Sequence, residues 1–343
     1  MLGIETSCDE TAAAVVDGPR QVRASVVLSQ IAEHASHGGV VPEVAARLHA
    51  ERLPTLVEQA LREAGTDWPD LDSIAVTAGP GLATSLLVGT AAAITLALRL
   101  GRPLWAVHHL DAHLQSILLD PAFPMSLEGS RGLALLVSGG HTCLVLVDGK
   151  VRRLVGATFD DAAGEALDKG ARLLGLGYPG GPAIERAAKG GQADAVEFPR
   201  GELSDRDAAE LRGLSPALCF SFSGLKTALL YYLRRCDRAP ANDVAASYQE
   251  AVVDALAIRL RRGVEAFSPD WLGCAGGVAR NDRLRTRLAE VARELGRPLY
   301  LAPAEYCTDN AAMVAAAAAA GRAEHVEPPE ALCIRPTWPL PVT

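Results

Sequence analysis

His109 and His113 stand four residues apart in the segment His108-His109-Leu110-Asp111-Ala112-His113. On a helix that spacing projects both imidazoles from one face, where they can ligate a single metal ion. A pair of hydrogen-bonded core or surface histidines fits the same spacing, and both readings stand at this point. Neutral imidazole suits zinc and iron alike, so the pair does not choose the metal. A zincin metalloprotease needs Glu directly after the first histidine as its general base. Leu110 occupies that place and counts against that class. His108 faces elsewhere on such a helix and reads as structural. Two histidines leave a site incomplete, so a third ligand must come from another segment. Thr308-Asp309-Asn310 precedes an alanine-rich stretch, and all three residue types favour a helix N-cap. Asp309 is thus open to either reading, cap or ligand.

A second kind of chemistry is suggested by glycines. Ser138-Gly139-Gly140-His141 offers backbone N–H groups without Cβ obstruction, a surface on which a phosphate or carboxylate can lie. An ordinary hairpin turn has the same composition. Gly276-Gly277 repeats the feature after a strand-like run and before a helical one, which adds weight to nucleotide binding. Asn281 then caps that helix or hydrogen-bonds a nucleotide. Between the two glycine turns, residues 161–174 read as a helix with Asp161, Glu165, Asp168 and Arg172 on one face. Glu165–Lys169 and Asp168–Arg172 ion pairs at i, i+4 account for that face without further function. The loop Tyr178-Pro179-Gly180-Gly181-Pro182 is too rigid in composition for a mere connection.

The elements that must carry these residues alternate between strand and helix, so the class is α/β. Residues 2–6 and 11–16 read as a hairpin around a polar turn at 7–10. Helical periodicity runs from 43 to 64, with Pro54 expected to kink or divide it. Residues 74–76 form a strand leading to Gly79-Pro80-Gly81 and the apolar stretch 82–98. That stretch is at the short end of what spans a bilayer, but its Thr, Ser and Gly content favours a buried helix. The grammar restarts at 133–137 and 142–147, a weak internal repeat that suggests two related lobes. Residues 271–275 read as a strand, followed by a helix with Leu284, Leu288, Val291 and Leu295 on one face. The alanine run 315–320 reads as a tightly packed helix.

Composition narrows the function. The chain has 343 residues, long enough for two lobes. It is 49% hydrophobic but 5% aromatic, so its cores are built from Ala, Val and Leu. A net charge of −8 argues against coating nucleic acid by bulk electrostatics. A local basic patch stays open as a reading, since arginines cluster at Arg280, Arg283, Arg285 and Arg287. Seven scattered cysteines (Cys8, Cys143, Cys219, Cys236, Cys274, Cys307, Cys333) form no C-x-x-C pair. Neither a disulfide framework nor a zinc cluster is indicated, and a reducing cytosol fits. The first residues lack a basic region and an apolar run, so no signal peptide is read and a cytoplasmic protein is expected.

Eleven segments, in order, carry a family resemblance: GIETSCDET (3–11), GGVVPEVAAR (38–47), TAGPGL (77–82), VHHLDAH (107–113), LLVSGGHT (135–142), DDAAGEALDK (160–169), LLGLGYPGGP (173–182), FSFSGLKT (220–227), AGGVARN (275–281), CTDNAAM (307–313) and RPTWPL (335–340). Together they resemble the bacterial form of the tRNA N6-adenosine threonylcarbamoyltransferase family (TsaD, the former glycoprotease family), over essentially the whole chain. The resemblance implies a two-lobed, actin-like ATPase fold of the sugar-kinase and heat-shock-chaperone type, with an interlobe cleft. It implies lobes at 1–128 plus 306–343 and at 129–305. The implied reaction moves a threonylcarbamoyl group from threonylcarbamoyl-adenylate to N6 of adenosine 37 in tRNAs that read codons beginning with A. By position, the family's metal ligands fall on His109, His113 and Asp309, for one divalent ion per subunit: Fe2+, with Zn2+ or Mg2+ as alternatives. Its substrate contacts fall on Leu136, Val137, Ser138, Gly139, Gly140, Asp168, Gly181, Glu185 and Asn281, where an adenine nucleotide can also sit. Asp9 and Glu10 match the acidic pair of the first loop, and either could be the base that takes the amine proton. Implied partners are tRNA, a degenerate homologue of the TsaB type and a small ATPase of the TsaE type, with no membrane. The rival readings are an ATPase or kinase of the same fold and a non-catalytic tRNA-binding scaffold.

Overall fold

The computed structural model describes residues 1–35, 37–124, 129–149, 151–235 and 239–342. Cys236 lies outside the described residues. In chain order the elements are β1 (Leu2–Glu5), β2 (Glu10–Asp17), β3 (Gln21–Ser29), α1 (Ile31–Ala35), α2 (Pro42–Ala64), β4 (Ile74–Gly79), α3 (Ala83–Leu100), β5 (Leu104–His108) and α4 (His109–Leu118). There follow β6 (Arg131–Val137), β7 (Thr142–Asp148), β8 (Val151–Ala157), α5 (Ala163–Leu173), α6 (Gly180–Ala187), α7 (Ser223–Leu233), α8 (Ala241–Phe267), β9 (Trp271–Ala275), α9 (Asp282–Glu294) and β10 (Leu299–Leu301). The chain closes with α10 (Ala304–Cys307), α11 (Ala311–Ala319) and β11 (Ala323–Val326). Two compact units result: Met1–Pro121 with Pro303–Pro339, and Ala122–Ala302 with Leu340–Thr343. The sequence reading placed the divisions after 128 and before 306. The last residues join the second unit because the Leu154 N–H of β8 donates to the Pro341 carbonyl at 2.7 Å.

Among the described residues, the first unit holds a six-stranded sheet in the order β11-β5-β4-β1-β2-β3. Its centre, β1, β4 and β5, is parallel; the hairpin β1–β2–β3 and the edge strand β11 run antiparallel. Alternation along a strand sorts the side chains between two cores. Leu2, Ile4, Ile74, Val76 and Leu104 pack with Leu53, Leu56, Val57 and Leu61 of α2 and Ala93 and Ala97 of α3. Ala75 and Val107 point the other way, against Ala112 of α4 and Met313, Val314 and Ala317 of α11. Nearly every α11 side chain is buried, Ala311 and Ala312 against Ala12 and Ala14 of β2, so alanine here serves close approach to the sheet as well as helix propensity.

The second unit repeats the plan with a five-stranded sheet, β10-β9-β6-β7-β8. Here β6–β7–β8 is antiparallel and β6, β9 and β10 are parallel. The weak repeat seen in sequence is thus a repeat of topology, hairpin strands first and parallel strands after.

Several expectations need correction. Pro54 does not divide α2, which runs unbroken for 23 residues. The stretch expected to be a buried helix buries one face only: Leu86, Ala93 and Ala97 are inside, whereas Leu87 and Leu98 are 54% and 50% exposed. By length and composition α3 could cross a membrane, and it packs here on the first sheet. Two of the four clustered arginines are ion-paired, a third is tied to backbone carbonyls, and Arg280 is exposed. Arg283 pairs with Glu250 and Glu290, Arg287 with Asp254 and Glu290, and Arg285 donates to the Ala279 and Ala302 carbonyls. Among the described residues no cysteine is in a disulfide.

Candidate active site

His109 opens α4 directly after β5, and His113 follows one turn later, both buried. Their rings meet edge to face with centroids 4.7 Å apart. The helix start is set by His108, whose Nδ1 accepts from the Leu110 N–H at 3.1 Å and whose Nε2–H donates to the Trp338 carbonyl at 2.8 Å. Burial, partly opposed by the Trp338 bond, pushes its pKa down to about 4 and keeps it neutral. His108 is therefore structural, as the sequence suggested, and its task is to cap the helix that carries the other two.

Asp309 reaches the same place from the start of α11. Asn310, not Asp309, is the N-cap: its Oδ1 accepts from the Met313 N–H at 2.9 Å. That leaves the Asp309 carboxylate turned to the histidines, Oδ1 at 3.1 Å from His113 Nε2 and 3.6 Å from His109 Nε2. Ligand atoms of His109, His113 and Asp309 all lie within 4.8 Å of one another.

Behind His109 stands a carboxylate that sequence reading missed. Glu5, at the end of β1, is fully buried. Its Oε1 accepts from the Ser7 N–H at 2.5 Å, and its Oε2 accepts from Thr77 Oγ1 of β4 at 2.6 Å. The same Oε2 is 3.4 Å from His109 Nδ1, with Ser7 Oγ 3.2 Å from that nitrogen. Glu5, Thr77 and His109 sit toward the carboxyl ends of the adjacent parallel strands β1, β4 and β5, where open α/β sheets place their ligands. Their signal in sequence was a glutamate closing one otherwise apolar strand and a threonine within another.

Electrostatics fit a cation. Burial alone would lower the His109 pKa, but Asp309 and Glu5 beside it reverse that and raise it to about 9. Glu10, at the start of β2, has its carboxyl pushed up to about 10, first by burial and then by the charges of Asp309 and Asp9, while Ser29 Oγ donates to its Oε1 at 3.3 Å. Carboxyls of Asp9, Glu10 and Asp309 therefore feel one another, and a divalent ion would relieve that repulsion. His113 Nδ1 is buried without a hydrogen-bond partner. Two imidazoles and a carboxylate in mutual reach, next to further acids, form a donor set that fits a divalent metal.

The second unit gathers the other expected residues. Ser138, Gly139, Gly140 and His141 form the turn of the β6–β7 hairpin, closed by Ser138 N–H donating to the His141 carbonyl at 2.8 Å. Around Gly139 and Gly140 a Cβ would meet nothing within 4 Å, so the turn is open as a cradle must be. Leu136 and Val137 are core side chains of β6, leaving only their backbone for contacts. The strand end and turn are approached closely by the first turn of α5 and by the loop at Gly276. A Cβ on Gly164 of α5 would strike the Ser138 carbonyl; one on Gly276, held at φ +98°, would strike that of Val137. Only glycine allows both approaches.

Asp168 accepts from the Gly180 N–H at 2.6 Å, tying α5 to the start of α6 and to Gly181. Glu185 accepts from the Asp282 N–H at 2.7 Å. Asn281 caps α9 through Leu284 N–H at 2.9 Å and donates to Gln249 Oε1 at 2.9 Å. Each of these three thus fixes the end of a helix. Lys169 joins Glu165 as expected, at 2.9 Å, and also Asp161 at 2.7 Å. The α5 start is held by Thr142 Oγ1, which accepts from the Ala163 N–H at 2.8 Å.

Comparison with known proteins gives the family of the chain. The family model TsaD, tRNA N6-adenosine threonylcarbamoyltransferase, matches residues 21–316. The tRNA N6-adenosine threonylcarbamoyltransferase of Methylobacterium sp. (strain 4-46) is 48% identical, covering 99% of this chain and 97% of its own. That of Magnetococcus marinus (strain ATCC BAA-1437 / JCM 17883 / MC-1) is 49% identical, covering 92% of this chain and 90% of its own. Among solved structures, HypF of T. kodakarensis overlays with a TM-score of 0.62 at 13% identity, over 93% of this chain and 48% of that one. The activator of the 2-hydroxyisocaproyl-CoA dehydratase from Clostridium difficile, with bound ADPNP, gives 0.51 at 13% identity, over 94% and 95%. At such identity the likeness speaks for the fold alone, a two-lobed actin-like α/β fold. With relatives matched nearly end to end at close to half identity, the chain belongs to the tRNA N6-adenosine threonylcarbamoyltransferase family.

Proposed function

We propose that this chain is the transferase that moves a threonylcarbamoyl group from threonylcarbamoyl-adenylate to N6 of adenosine 37 in tRNAs reading codons that begin with A. The observation that carries the reading is the match to relatives of that name at 48% identity over 99% of the chain. His109, His113 and Asp309 would hold one divalent ion. Two histidines with one carboxylate favour Fe2+, with Zn2+ and Mg2+ as the alternatives. When bound, the ion supplies Lewis-acid polarisation of the carbonyl or phosphate oxygens of the donor and a template for its placement.

The donor is an activated mixed anhydride, so the protein's own work is placement and charge stabilisation. Gly139 and Gly140 present backbone N–H groups to an anionic group, with Asp168, Gly181, Glu185 and Asn281 framing the adenosine part. An exocyclic adenine amine is a poor nucleophile and must lose a proton as it attacks. Asp9 and Glu10 are the groups to take it. With Glu10 held protonated by burial and by the charges of Asp309 and Asp9, a cation among these acids would relieve the charge repulsion and favour its carboxylate for that role. Partner proteins, a degenerate homologue and a small ATPase, would share tRNA binding, in keeping with a charge of −8 and with Arg283 and Arg287 already paired. The setting is the cytoplasm.

The test supplies threonylcarbamoyl-adenylate, unmodified tRNA and both partners, and looks for modified adenosine by mass spectrometry. Wild type should form it, and His109→Ala and Asp309→Asn should not. Absence of product with wild type refutes the reading. ATP turnover onto a hydroxyl acceptor, untouched by His109→Ala, would support a kinase in its place.

A further inference from the structure

We propose that Glu5 is a positioning residue that fixes the ring and tautomer of His109, so that its Nε2 is the nitrogen offered to the metal. The inference rests on the metal reading above and adds a residue to it.

A carboxylate at 0% exposure is costly unless donors satisfy it. Glu5 has two, each from a separate element. The Ser7 N–H holds Oε1 at 2.5 Å from within its own loop, and Thr77 Oγ1 holds Oε2 at 2.6 Å from β4. With both oxygens tethered, the carboxyl group has no rotation left, and Oε2 is directed at His109 Nδ1, 3.4 Å away. A ring N–H at Nδ1 facing that oxygen leaves the lone pair on Nε2. Nε2 is the atom 3.6 Å from Asp309 Oδ1, on the side where His113 also points its Nε2. A carboxylate behind a metal-ligating imidazole orients it and increases its basicity. The other residues of β1 are apolar and buried, so the strand has no need of a charge for packing. Ser7 Oγ, 3.2 Å from the same Nδ1, is the competing partner, but a hydroxyl can turn to donate or accept and selects no tautomer.

Co2+ is the probe, because its visible absorption reports ligand geometry, and the full chain is titrated with it in competition with a chelator. In Glu5→Gln, the amide keeps the shape and the acceptor for Ser7 but cannot present a carboxylate to both Thr77 and His109. It should bind Co2+ about tenfold to a hundredfold more weakly, with shifted bands. Thr77→Val leaves Glu5 in place but frees Oε2, and should weaken binding in the same direction by less. It also serves as the informative variant if Glu5→Gln fails to fold. Ser7→Ala should bind as wild type does. Wild-type affinity and bands in both Glu5→Gln and Thr77→Val overturn the proposal, as does a loss that Ser7→Ala reproduces and Glu5→Gln does not. Wild type that takes up no Co2+ overturns the metal reading itself, an outcome distinct from those.

Discussion

Loading a divalent ion into chelator-stripped protein should expel a proton from His109. Burial disfavours the imidazolium, but Asp309 and Glu5 stabilise it more, and the pKa is raised to about 9. A raised histidine holds its proton below that value, and a metal must displace it because only neutral imidazole ligates. At about pH 7.5 the gap to about 9 is about 1.5 units, which at 1.36 kcal/mol per unit costs about 2 kcal/mol, roughly a thirtyfold weaker affinity than above the pKa. Between about pH 6.5 and 8.5, log affinity should therefore rise by about one unit per pH unit from His109 alone. Glu10, protonated up to about 10, adds to the slope if the ion also discharges it, and Glu10→Gln should then return the slope to about one. Chelator-competition titrations across that range read the slope, and calorimetry in buffers of different ionisation enthalpy counts the protons. An affinity that is flat with pH, with no proton released, would refute the electrostatic picture of the site.

Replacing His108 with Ala removes the cap on Leu110 N–H and the bond to the Trp338 carbonyl, and should cost about 1–2 kcal/mol in urea unfolding at neutral pH. Because His108 is buried neutral, with its pKa pushed down to about 4 from 6.5, wild-type stability should decline as pH falls through that window, and the variant should decline less. Asp160→Asn weakens the carboxylate that accepts from Ser221 Oγ (2.6 Å), Phe222 N–H (2.7 Å) and Ser223 Oγ (2.7 Å), and should cost on the order of 2 kcal/mol. Burial opposes but these bonds win and lower its pKa, so the advantage over the variant is present above about 3.8 and vanishes in acid, as unfolding at two pH values can check.

Local patterns were legible wherever one element's own periodicity decides its faces. Both hairpins, the strand before Gly276 and the Leu284–Leu288–Val291 face appear as the alternation and helical spacing require. Pro54 does not divide its helix because a long helix packed on a sheet tolerates one lost N–H bond when its neighbours keep Leu53, Leu56 and Val57 buried. The stretch 82–98 misled because apolar composition says nothing of which face meets a partner, and Leu87 and Leu98 face outward. Spacing alone leaves a basic patch open near 285 because the acids that pair with Arg283 and Arg287, Glu250 and Asp254, lie on another helix about thirty residues earlier.

The histidine pair was determined by sequence alone, because i and i+4 on one helix share a face whatever surrounds them. So was the open Ser138-Gly139-Gly140 turn, since glycine carries its own lack of a side chain. What else meets the pair was decided by tertiary structure. Asp309 becomes a neighbour of the histidines because Asn310 takes the cap and α11 lies against the sheet. Glu5 and Thr77 arrive because β1, β4 and β5 lie side by side in parallel, so that residues 5, 77 and 109 come together toward their carboxyl ends. Strand order is a property of the assembled sheet, set by burial on both its faces, and no spacing along the chain encodes it.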